Sequence, residues 1–262
     1  MKIQILIAAL AAFACAYADT STATGTTPRR HSGAKQRAQM KRFGGLLPKP
    51  GSAQGKVLVL NGQKRVAAGD LAPALEQIKV RLHPDIEIRE SSAPEIDAVA
   101  AAVKAAGGQL GIILTDKPGI PSLITAPEEG WALVNVAKLA DGNPAADVLA
   151  ARVRKEILRA FALIGGGAFM ALDAIVMRPD VRIPADLDTI KLEQYGIDIC
   201  RTLERNLPRL GVVPWRITTY ANACAEGWAP QPTNEFQKAI WDKARELPTK
   251  PIEIKYDPKR DK

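Results

Sequence analysis

Residues 154–167 read R-K-E-I-L-R-A-F-A-L-I-G-G-G, and the fold turns on how this stretch is read. Leu149, Val153, Ile157, Ala160 and Ile164 recur at helical spacing on one apolar stripe, and Leu158 and Phe161 widen it. Gly165, Gly166 and Gly167 follow the helix instead of opening it, so they predict a C-terminal cap and turn, not a phosphate-cradling loop. Arg152, Glu156 and Arg159 are spaced four and three residues apart, with Lys155 beside them. By residue type alone this is a solvated ladder of alternating charge, each pair contributing about 0.2–0.5 kcal/mol. Residues 157–177 are largely apolar, but Arg159, Asp173 and the glycines are awkward in lipid. A buried helix and a turn are expected there, not a membrane span.

Upstream of this helix, strand and helix patterns alternate. Val57-Leu-Val-Leu60 reads as a short buried strand closed by Asn61-Gly62, and Leu71, Leu75, Ile78 and Leu82 mark a helix ended by His83-Pro84. Ile86-Glu-Ile88 alternates as a second strand, and residues 93–106 form an alanine-rich helix stopped by Gly107-Gly108. Gly111-Ile-Ile-Leu114 and Trp131-Ala-Leu-Val-Asn-Val136 are the third and fourth strands. Asn143-Pro144 then starts the long helix, with Pro144 in its first turn. This order predicts an α/β (α+β) fold with a mixed, mainly parallel sheet. Beyond residue 167 the pattern breaks into proline-interrupted pieces. One further helix spans residues 234–247, with Thr233 as its cap and Phe236, Ile240, Trp241 and Ala244 on its apolar face. Residues 251–256 suit a closing strand. The expected organisation is a folded body at 56–262, divided into an α/β lobe (56–167) and a less regular C-terminal lobe (168–262).

The first eighteen residues, M-K-I-Q-I-L-I-A-A-L-A-A-F-A-C-A-Y-A, carry one cation, a short apolar run and small residues at Ala16 and Ala18. That pattern is a secretory signal peptide cleaved after Ala18, and it predicts a secreted or periplasmic protein. Acylation at Cys15 is the lipoprotein alternative, disfavoured by the bulk of Phe13. Net charge is +8, but it is unevenly spread. Removing Lys2 and the seven cations of residues 19–55 leaves 28 of the 36 basic residues in 56–262, against 27 of the 28 acidic ones. A near-neutral body does not suit nucleic acid. The basic 19–55 segment reads as a disordered tail, either simply solvated or adhering to an anionic envelope polymer. Cys200 and Cys224 remain after cleavage. In an oxidising compartment they suggest a disulfide, contributing about 3 kcal/mol, or else two separate buried thiols.

Zincin-type zinc hydrolases place two histidines four residues apart on a helix, with a glutamate directly after the first. The imidazoles grip the metal and the carboxylate takes a proton from the bound water. The longer metzincin form adds a glycine, a third ligand and a methionine turn. On this chain Lys155 and Arg159 stand at the two ligand positions, Ala162 at the glycine and Gly165 at the third ligand; only Glu156, the base, matches. Met177, in A-I-V-M-R-P, is a candidate methionine turn, and Asp188-Thr-Ile-Lys191 precedes Cys200-Arg-Thr-Leu203. Over residues 56–205 the chain resembles a degenerate metzincin, closest to the archaemetzincin branch. In that branch a D-x-K-like segment and a C-x-x-C pair follow the methionine, and the pair helps hold a second, structural zinc. Here the second cysteine position is Leu203. The resemblance implies a zincin-like fold and a vestigial general-base position at Glu156. It also implies a cleft lined by Arg152, Lys155 and Arg159 that would favour an anionic group.

The sequence has two histidines, His31 in the tail and His83 far from this helix, so a His-His zinc site cannot be assembled within it. Two cations where a dication must sit are repulsive as well as ligand-poor. No metal or cofactor is expected. A cysteine or serine nucleophile meets the same shortage of imidazole. Asp186 and Asp188, or Glu128 and Glu129, are the acid pairs open to glycosidase-type chemistry. The function expected is that of an exported, non-catalytic zincin-like protein acting as a binding or scaffold module. The alternatives are a metal-independent hydrolase using carboxylates in the same cleft, or an unrelated α/β envelope protein. Residues 131–136 forming the sheet edge beside the long helix would favour the first reading over the third.

Overall fold

A computed structural model describes residues 44–171 and 175–246. The signal peptide, most of the basic tail and the 251–256 strand lie outside the described residues. The chain separates into two compact units. One spans residues 50–216; the other combines residues up to 49 with those from 217 onward.

In the strand region of the 50–216 unit, apolar side chains occur in unbroken runs, which is what a sheet covered on both faces requires. The two-residue repeat of a strand sends alternate side chains to opposite faces. Here β2 (Lys56–Asn61), β3 (Asp85–Glu90), β4 (Leu110–Thr115) and β6 (Trp131–Asn135) are parallel, in the order β3-β2-β4-β6. Every residue of β4 and β6 is buried. Val57, Val59, Ile112, Leu114, Ala132 and Val134 face a core shared with α1 (Ala68–Leu82). Leu58, Leu60, Ile113 and Leu133 face the opposite side, under α2 (Val99–Ala105). The fold is mixed α/β with a mainly parallel central sheet, as the alternating sequence pattern predicts.

Three details depart from the sequence reading. The first is a short strand, β5 (Leu123–Ala126), paired antiparallel with β6 through a turn in which Gly130 has φ 75°. It forms the sheet edge, so residues 131–135 lie one strand in from it. The second concerns the alanine-rich stretch, where a turn at Ile96–Ala98 precedes the short helix, so it is helical over less length than expected. The third is the start of the long helix. After α3 (Val136–Leu139), Gly142 and Asn143 both take positive φ and α4 runs Ala146–Ile164, so Pro144 precedes the helix instead of entering it. α4 packs on the same face as α1, alongside both β6 and β5.

The glycine triplet closes α4 as expected. The Gly167 N–H donates to the Ala162 carbonyl and the Gly166 N–H to that of Leu163, a paired closure that requires the left-handed residue Gly166, φ 79°. Gly165 lets the next helix approach: a methylene there would come within 2.3 Å of Leu203 on α5 (Ile197–Asn206).

The second unit is small. β1 (Leu46–Pro48) pairs antiparallel with β7 (Ile217–Thr219), so residues read as tail carry a strand. Leu47 packs with Tyr220 and Ala223 of α6 (Tyr220–Ala225), and Ile240 and Trp241 of α7 (Glu235–Glu246) lie against them. Asn234, not Thr233, caps α7 by accepting from the Gln237 N–H. Phe236, assigned to the apolar face, is exposed.

Candidate functional site

The helical repeat places Arg152, Lys155, Glu156 and Arg159 on one face of α4. The residue types predict a solvated ladder on that face; the structure buries it. Relative exposures are 5% for Arg152, 6% for Lys155, 2% for Glu156 and 4% for Arg159. Lysine, arginine and glutamate are rarely buried so fully unless paired, and each of these has a partner. The cover comes from the chain after the helix. Val176, Met177, Leu187 and Ile190 join the core into which α4 packs, and a turn at Pro184–Thr189 packs against α4.

The cations bind this returning segment mainly through its backbone. Arg159 Nη1 donates to the carbonyls of Val176 and Arg178 at 3.0 and 2.9 Å, and its Nε donates to Glu156 Oε2 at 3.0 Å. The ring of Phe169 lies 4.6 Å from the guanidinium carbon. Lys155 Nζ donates to the Leu187 carbonyl at 2.8 Å. Arg152 holds Asp188 with two parallel bonds of 2.9 and 2.6 Å, while its Nη1 reaches the carbonyls of Leu139 and Asp141. Arg152 therefore turns to Asp188, and the ladder reduces to the Glu156–Arg159 pair. Arg154 clamps Glu193 from the flank of the helix, at 2.7 and 2.9 Å. Tyr195 donates to the Leu158 carbonyl at 2.7 Å. Among the described residues no buried side-chain nitrogen or oxygen lacks a partner.

Burial sets the electrostatics. It pushes the Glu156 carboxyl up from the ordinary glutamate range, against the pull of Arg159, and pushes Arg159 down. Lys155 is likewise lowered by desolvation. Asp188 is held below the usual aspartate range by its bonds from Arg152. The Lys155 ammonium is thus a buried charge whose one bond is to a neutral carbonyl. The Leu187 carbonyl also accepts from the Ile190 N–H, so it would keep a partner without the lysine. Lys155→Met, close in volume and uncharged, is expected to equal the wild type or exceed it by about 1 kcal/mol. Because a lowered ammonium opposes folding once the unfolded lysine is charged, the advantage should widen as pH falls from strongly alkaline to neutral. Urea denaturation at both pH values reads this.

The other candidates have definite places. Met177 is fully buried, between the two residues whose carbonyls hold Arg159. Asp186 accepts from the N–H groups of Arg182 and Ile183, and Glu129 accepts from Trp131 Nε1, so neither is an idle acid. The expected disulfide is corrected: Cys200 on α5 and Cys224 on α6 are free thiols, one in each unit. Asp188 was legible as one of a pair of acids and as the start of the D-x-K-like segment, but not as the partner of Arg152. The clamp by Arg154, the tether by Tyr195 and the five carbonyl acceptors were not legible, because backbone carbonyls carry no residue-type signature.

Zinc, which the zincin resemblance implies, does not fit this donor set. Lys155 and Arg159 offer protons instead of lone pairs, and Gly165 offers no side chain. Among the described residues no three His, Cys, Asp or Glu side chains converge as a metal group.

The fold and face together define a mixed α/β protein in which α4, the longest helix among the described residues, turns a charged, hydrogen-bonded side inward. Among solved structures, the chain is similar to archaemetzincin from Methanopyrus kandleri, with a TM-score of 0.48 and 18% identity over 62% of this chain and 100% of that one. It is also similar to a zinc-dependent peptidase from Methanocorpusculum labreanum, with a TM-score of 0.43 and 14% identity over 57% of this chain and 100% of that one. No protein-family model matches the chain, and no curated protein does. Among the described residues no helix is long and apolar enough to cross a membrane.

Proposed function

We propose that this is an exported, non-catalytic protein on a zincin-like frame, a pseudo-metallopeptidase serving as a binding or scaffold module. One observation carries the reading: Lys155, Glu156 and Arg159, at the positions a zincin uses for metal and base, are buried and bound to the protein itself. A general base must reach the proton it removes. Glu156 is 2% exposed and its Oε2 is bonded to Arg159. Export rests on the amino-terminal pattern ending at Ala18, and a mature chain should begin at Asp19.

The test is metal content and peptidase activity of the purified, full-length chain. After incubation with zinc and removal of free ion, elemental analysis should find far less than one zinc per chain. A mixed peptide substrate should be cleaved no faster than the buffer background. Stoichiometric zinc together with chelator-sensitive cleavage would overturn the proposal.

A further inference from the structure

We draw no further inference here: the strongest candidate, the uncharged outer edge of β5 (Leu123–Ala126), is paired with β6 on one side only, and nothing in the structure shows what covers the other.

Discussion

Replacing Arg159 with leucine is expected to destabilise the 50–216 unit by about 3–5 kcal/mol, the range for removing one partner of a buried ion pair. Three losses coincide. Glu156 keeps its burial and loses its counter-charge, while the carbonyls of Val176 and Arg178 lose a charged donor. The double variant Glu156→Leu/Arg159→Leu should recover much of the loss, leaving about 1–3 kcal/mol for the carbonyls. The pH dependence gives a sharper signature. With Arg159 present, burial already pushes the Glu156 carboxyl up; without it the push is unopposed. Between the unfolded and folded values the native state holds a proton that the unfolded chain has released. Stability must therefore fall as pH rises through that window. Arg159→Leu should be relatively most stable in acid, and Arg159→Leu/Glu156→Gln should lose that slope. Denaturation midpoints from pH 4 to 8 decide the matter; a loss well under 1 kcal/mol with no slope would show that the pair does not hold the fold.

The second large effect belongs to Arg152. Arg152→Leu removes the paired bonds to Asp188 and the donor to the Leu139 and Asp141 carbonyls, for about 2–4 kcal/mol. Asp188→Ala should cost less, about 1–2 kcal/mol, because Asp188 is 38% exposed and the solvent-side part of the pair is screened. Here the pH trend is opposite to that of Arg159→Leu. The Asp188 carboxyl is depressed, so its contribution is present above the ordinary aspartate value and lost as pH falls through the folded one. Wild type and Asp188→Ala should therefore converge in acid. A gap that stays constant down to pH 2–3 would count against the pair.

The contrast among the three cations has one cause. Arg159 and Arg152 each combine a carboxylate with two carbonyls, whereas Lys155 has a carbonyl alone. The same burial therefore makes two of them supports and leaves the third close to neutral. Sequence spacing puts them on one face but does not rank them.

Much of the frame is written locally. Short apolar runs at 57–60, 111–114 and 131–134, each near glycine or asparagine signals, read as strands covered on both sides, and the Leu71, Leu75, Ile78 and Leu82 spacing reads as a helix. The glycine triplet marks a helix end because only glycine takes φ 79° without strain. Strand β5 escaped notice because L-I-T-A is four residues between prolines, too short for a periodic signal. Likewise, Arg152 and Glu156 stand at a spacing that predicts pairing within the helix, but Asp188, 36 residues downstream, takes the arginine.

The sequence by itself determined the strand–helix alternation, the charged face of α4 and the absence of imidazole from it. Only the tertiary structure decided that this face is covered, that its cations hold the backbone carbonyls of Leu139, Asp141, Val176, Arg178 and Leu187, and that the two cysteines are free thiols. The physical reason is that side-chain spacing fixes which residues share a surface. What lies over that surface depends on a chain segment recognised through its main chain, which looks alike at every residue.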